Sequence, residues 1–171
     1  MGVNLKNLIR ICIFLIAAAA AYPQSIENKN NIFYAELLGN GLFSSVNYER
    51  VISNNFDLRL GLGFAFDNSA SNSGSHHTTS FFPLAMANYL IDIYGNNYVE
   101  AGGGFLIAST DFNITNTPNT FQQSAYTIIP TIAIGYRYSP KSGGVFFSAA
   151  FDMFIYAGVL PWGGLGIGYR F

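Results

Sequence analysis

Pro161-Trp162-Gly163-Gly164-Leu165-Gly166-Ile167-Gly168-Tyr169-Arg170-Phe171 ends the chain. Leu165, Ile167, Tyr169 and Phe171 alternate there with Gly164, Gly166, Gly168 and Arg170. An extended backbone therefore carries every large apolar side chain on one face and glycine or arginine on the other. A strand divided in this way meets two different environments. The apolar face suits lipid, and the same division recurs upstream.

Phe56 to Phe66 repeats it most cleanly. Phe56, Leu58, Leu60, Leu62, Phe64 and Phe66 oppose Asp57, Arg59, Gly61, Gly63 and Ala65, with no break in parity. A period of 3.6 residues would scatter these classes around a helix axis. Working outward, the pattern predicts eight strands: Ile32 to Leu38, Phe43 to Ile52, Phe56 to Phe66, Ser80 to Ile91, Tyr98 to Ala108, Gln123 to Tyr138, Val145 to Tyr156, and the final stretch. Gly39-Asn40-Gly41, Ser53-Asn54-Asn55 and Ser139 to Gly144 read as turns. Asp67 to Thr79 and Ser109 to Gln122, rich in Ser, Asn and Thr, read as two long exposed loops. Ten strands would result if either loop hid a hairpin. Pro130 interrupts the sixth strand and predicts a bulge or local distortion.

Half of the residues are hydrophobic and 10% are charged, against about 25% charged residues in soluble domains. So few charges cannot cover a water-facing surface. The abundance of Gly (18), Phe (16) and Tyr (11) favours strands and aromatic belts. A net charge of −1 gives no footprint for nucleic acid.

The first residues have a separate character. Lys6 and Arg10 precede the apolar run Ile11 to Ile16 and the alanines 17–21, the layout of a secretory signal peptide cleaved after Ala21. The run is too short for the roughly 20 residues of a spanning helix. Cys12, the only cysteine, lies within it, so the mature chain has no disulfide. Residues 22–31 form a polar lead-in and 32–171 the barrel domain. No later stretch has about 18 consecutive apolar residues, so any crossing of a membrane is made by strands. With the N-terminus in the periplasm, the second, fourth and sixth connections are short and two of the others long, the asymmetry of outer-membrane barrels.

A soluble barrel also alternates, and the composition of the polar face decides between the two. That face is largely Gly, Ala, Ser and Thr, which suits the narrow lumen of eight strands. Glu36, Glu49, Asp57, Glu100 and Asp152, with Arg59, Arg137 and Arg170 of opposite sign, are expected inside as a polar network that must pair or be hydrated. Glu36 and Glu49 are candidate partners for Arg170. Tyr48, Phe56, Tyr89, Tyr136, Tyr138, Phe147, Tyr169 and Phe171 fall near predicted periplasmic strand ends and face outward, as an interfacial girdle requires.

The signal peptide, the eight alternating segments and the ending Gly-Ile-Gly-Tyr-Arg-Phe resemble small bacterial outer-membrane β-barrel proteins, the class containing OmpX and the OmpA transmembrane domain. The resemblance covers about residues 31 to 171. It implies an all-β, eight-stranded antiparallel up-and-down transmembrane barrel, with outer-membrane lipid around it. It also implies that the β-barrel assembly machinery reads Leu165, Ile167, Tyr169 and Phe171. Individual functions do not transfer within such a class.

His76-His77 with Thr78, Thr79 and Ser80 is the one cluster that suggests catalysis, by analogy with barrels that modify lipid A. Adjacent histidines in a strand point to opposite faces, and no carboxylate with triad logic lies nearby. Two histidines are also too few for a metal site. The expectation is therefore a monomer without enzymatic activity or cofactor, an envelope component or surface interaction scaffold whose extracellular partner the sequence does not name. A lipid-modifying enzyme and a small pore are its rivals.

Overall fold

The computed structural model describes residues 29–71, 74–113, 122–156 and 158–171, with side chains described outside 66–79 and 109–125. The signal-peptide segment, Cys12 and most of the lead-in lie outside the described residues. Eight strands follow in order: β1 (Asn31–Leu38), β2 (Ser44–Ser53), β3 (Phe56–Ser71), β4 (Gly74–Tyr94), β5 (Asn97–Asn113), β6 (Gln122–Tyr138), β7 (Gly144–Ile155) and β8 (Val159–Arg170). Each pairs antiparallel with the next, and β8 returns to β1, so the sheet is a closed eight-stranded barrel.

The closing seam uses the stretch with which the chain ends. Phe33 opposes Tyr169, Ala35 opposes Ile167 and Leu37 opposes Leu165. Phe171 adds the last rung, its backbone exchanging hydrogen bonds with Asn31 at 2.8 and 3.1 Å. Closure removes the two edges that an open sheet would offer to other chains.

The alternation becomes an inside and an outside. Phe33, Leu37, Val46, Leu58, Ile134, Leu165, Ile167 and Tyr169 are exposed on the outer face, whereas Glu36, Asn47, Glu49, Asp57, Arg59 and Arg137 are buried within. An apolar exterior around a charged interior inverts the arrangement of a water-soluble domain.

Two expectations need correction. Asp67 to Thr79 is strand over most of its length, and Ser109 to Gln122 is strand at 109–113 and at 122, residues 72–73 and 114–121 lying outside the described ones. The β3–β4 ladder continues to Ser71 opposite Gly74, and the β5–β6 ladder to Asn113 opposite Gln122. These segments lack the apolar alternation that marks a strand in sequence, yet their described backbones pair without a shift of register. They lengthen existing strands and add none, which settles the count at eight. Nor does Pro130 mark a bulge. The β5–β6 register runs through it without a shift, and β6 first pairs with β7 at Thr131. Pro130 therefore sits where its missing N–H interrupts no ladder on that side. Pro83 stands equally just beyond Leu84, where β4–β5 pairing ends, and Pro161 lies beyond Gly164, where β8 leaves β1.

Inside, three layers fill the barrel. At the rim nearest the chain ends, Ile32, Tyr34, Val51 and Phe146 form an apolar floor. Near the opposite rim Phe82, Leu84, Leu106 and Phe154 form a roof, packed against Leu42, Ile129 and Trp162. Charged residues occupy the space between.

Candidate functional site

The middle layer is built from inward positions of six strands. Arg137 on β6 binds Asp57 at 2.7 Å and Glu49 through both amino groups, the second contact at 3.0 Å, and also pairs with Glu100. Arg59 on β3 reaches Glu49 at 3.5 Å, Glu100 at 3.7 Å and Glu36 at 3.9 Å. Both guanidiniums also lie over rings of the floor, Arg59 at 5.3 Å from Tyr34 and Arg137 at 5.3 Å from Phe146. The two rings are themselves 4.7 Å apart. Asn88 donates to Asp57 at 2.8 Å, and Ser45 donates to Glu36 at 3.2 Å while accepting from Asn47.

Guanidinium is suited to this task. It presents five donors in a planar fork, so one group can serve three carboxylates from different directions.

The structure separates one residue from this group. Arg170, expected beside Glu36 and Glu49, stands at the terminal rim. It donates to Ser139 Oγ at 2.9 Å and to the Lys29 carbonyl. Its position at the last rung of β8 places it about one layer below the network, where it fastens the β6–β7 turn to the chain entering β1. Asp152 is in the lumen, but in the upper part, one inward position from the roof residue Phe154.

The first connection also departs from expectation. Gly39–Gly41 form a short 3-10 turn whose three residues are buried, folded into the barrel mouth instead of outward. Leu38 and Leu42 flank it at φ 61° and 69°, the left-handed region that costs a non-glycine residue energy. Several contacts offset that cost. Leu38 N–H donates to Phe43 at 2.8 Å, and the Trp162 indole donates to the Leu42 carbonyl at 2.8 Å. Glycine is needed for the close approach. A Cβ on Gly63 would stand 2.6 Å from the Gly41 carbonyl oxygen, and one on Gly164 would stand 2.5 Å from Gly39 Cα. With the roof, this inner turn occupies the lumen at the end away from the chain termini.

Asn40, Tyr34, Asn47, Asn88, Thr131 and Trp162 belong to the site and were not singled out by sequence. Asn47 and Asn88 share strand parity with Glu49 and Asp57's partner face, so alternation could have found them. Asn40 carries no such signal, because a polar Gly-Asn-Gly turn ordinarily faces water. The aromatic residues near the terminal rim are on the exterior, with Tyr89, Tyr136, Phe147, Tyr169 and Phe171 exposed and Tyr48 half-buried, its hydroxyl donating to Asn31. His76 and His77 lie in the extended part of β4, opposite Ser69 and Asn68, and Ser80 lies opposite Ala65. Among the described residues no group of three His, Cys, Asp or Glu could hold a metal.

No protein-family model and no curated protein sequence matches the chain. Solved structures do. The N-terminal β-barrel domain of Pseudomonas aeruginosa OprF superposes with a TM-score of 0.57 at 14% identity, over 84% of this chain and 99% of that one. Ail, the attachment invasion locus protein of Yersinia pestis, in complex with the heparin analogue sucrose octasulfate, gives 0.50 at 16% identity, over 82% and 96%. At such identities the likeness is one of fold, the fold of small outer-membrane barrels.

Proposed function

We propose that this chain is a monomeric, non-enzymatic integral protein of the bacterial outer membrane. It serves as an envelope component whose two long hairpins form a surface scaffold for interaction. Lipid surrounds the apolar exterior, and the assembly machinery inserts the barrel by reading Leu165, Ile167, Tyr169 and Phe171. The observation that carries the scaffold reading is the length of the hairpins. Pairing between β4 and β5 stops at Leu84 and Leu106, yet β3–β4 runs ten more residues on β4, to Gly74. At about 3.4 Å per residue this is about 30 Å of strand beyond the shared wall.

The ligand of Ail's crystal structure, a polysulfate, is a poor guide to the partner here. Residues 60–136, which contain both hairpins, include neither lysine nor arginine. By sequence these stretches offer mainly Ser, Asn and Thr, with His76, His77, three phenylalanines and two carboxylates, Asp67 and Asp111.

Replacing residues 68–77 with a two-residue turn should leave a barrel that folds and inserts. It should also reproduce the surface phenotype of a strain lacking the protein, with the lipid A mass spectrum unchanged in both. A lipid A species that disappears in the deletion strain and in a His76→Ala, His77→Ala, Ser80→Ala variant would establish the enzyme instead. The pore reading meets the layered lumen. The purified barrel in a planar bilayer should show no discrete channel openings, and steady openings by the intact protein would mean that the roof and inner turn do not seal.

A further inference from the structure

The fold divides the cations that follow the signal segment unevenly. Arg59 and Arg137 belong to the middle layer, while Lys29, Arg50, Lys141 and Arg170 all stand at the rim nearest the chain ends. Acids do not match them there. Asp92, 3.5 Å from Lys141, is the only exposed acid at that rim among the described residues. An excess of one charge between low-dielectric walls focuses potential and draws ions of the opposite sign.

The same rim holds a recess of about 200 Å³. Arg170 and Lys141 line it together with Asn30, Ser53 and Asn54, and the buried side chains of Leu90 and Tyr98 complete its wall. These residues come from β4, β5 and β8 and from the β2–β3 and β6–β7 turns, on different sides of the barrel. The recess therefore opens along the barrel axis and not onto the lipid face. Arg170 is the residue in it that calls for a ligand. It is 5% exposed, and no carboxylate pairs with it among the described residues. Its Nε donates to the Lys29 carbonyl and its Nη1 to Ser139, which leaves Nη2 without a hydrogen bond. A guanidinium buried so deeply is ordinarily matched by an anion. Lys141 stands 6.0 Å from the centroid of the Tyr98 ring, so its ammonium is held beside the same recess.

We propose that this recess binds a phosphate group, free or carried at the end of a small water-soluble molecule. Guanidinium is matched to phosphate oxygens, and an ammonium serves the same anion as a point charge. The two cations reach the recess from a strand and from a turn across the mouth. That arrangement suits a tetrahedral anion with oxygens on several sides, whereas the two oxygens of a carboxylate lie in one plane and are satisfied by one fork. The amides of Asn30 and Asn54 and the hydroxyl of Ser53 supply neutral donors for the remaining oxygens. Asp92 opposes the site only weakly, because its pair with Lys141 is exposed and water screens it. Size limits the occupant. At about 30 Å³ per water molecule, the recess takes a group of several heavy atoms and not an acyl chain or a polymer. A headgroup of the surrounding leaflet would have to cross the turns to enter it.

The test is calorimetric titration of the purified barrel, in an uncharged maltoside detergent, with inorganic phosphate at constant ionic strength. One phosphate should bind per barrel, saturably, and acetate should bind more weakly. Arg170→Gln should weaken phosphate binding about tenfold or more, the loss of a charge-assisted hydrogen bond. Lys141→Gln should weaken it about threefold and leave the urea midpoint in chloride unchanged, since an exposed ion pair contributes little to folding. This second variant carries the test if Arg170→Gln does not fold. Absence of saturable binding, or equal affinity in the wild type and Lys141→Gln, would overturn the proposal. So would two other results. A midpoint that rises with phosphatidylglycerol in vesicles, while inorganic phosphate does not bind, would assign these cations to a lipid headgroup. Phosphate binding that appears only in Glu27→Gln would assign the recess to a carboxylate of the chain itself.

Discussion

Arg137→Gln should destabilise the folded barrel by about 3–5 kcal/mol, the usual cost of removing one member of a buried ion pair and leaving its partner charged. The expectation follows from geometry. One guanidinium faces Glu49, Asp57 and Glu100 in a fully buried layer between two apolar clusters. Glutamine fills the space but supplies no charge. Urea unfolding in lipid vesicles at neutral pH measures the loss. Adding Glu100→Gln to Arg137→Gln should recover part of it, because the second change removes one of the stranded charges. A double-mutant cycle would report that coupling directly. Acid should also shrink the difference between Arg137→Gln and the wild type, since protonated carboxyls no longer need a cation. A loss below about 1 kcal/mol would mean that the layer is hydrated.

Leu60→Arg comes second, with an expected cost of about 2–4 kcal/mol if Leu60 lies near the bilayer midplane. Its position supports that depth. Leu60 is halfway along β3 between Phe56 at the terminal rim and Phe64 at the last β2 pairing, and it faces outward with Leu58 and Leu62. Leu60→Phe, which keeps the face apolar, should be nearly neutral by the same measurement. If arginine were tolerated at this position, the apolar face would not be meeting lipid and the assignment of inside and outside would reverse.

The sequence discloses different parts of this structure to different degrees, and the reasons are physical. β3 and β8 are legible almost residue by residue, because an apolar solvent on one face and a crowded lumen on the other force strict alternation. The charges inside are legible for the same reason, since any Asp, Glu or Arg at an inward parity has only the lumen to occupy. Arg170 is the exception. It has the parity of an inward residue, yet it stands at a rim where a backbone carbonyl and a serine are nearer than any acid. The long hairpins are not legible, because backbone pairing by itself places no demand on side-chain pattern and these stretches lack apolar alternation. Pro83, Pro130 and Pro161 carried some of that information unread, each standing where a strand loses one neighbour. The inner turn was hidden most completely. Asn40 is buried because Gly41 and Gly63, and Gly39 and Gly164, allow backbones to touch, and that complementarity joins residues too distant in sequence for a local pattern to show.

Trypsin applied to intact cells should leave this protein uncut. The inner turn, both hairpins and the β7–β8 connection contain no lysine or arginine, and the segment from Leu60 to Arg137 would remain a single fragment even after the envelope is opened. Chymotrypsin has Phe66, Phe112 and Phe121 to work on in the same segments. A surface survey built on tryptic peptides would therefore miss a barrel whose β3–β4 hairpin runs well beyond the shared wall, and the choice of protease would decide whether it is counted as exposed at all.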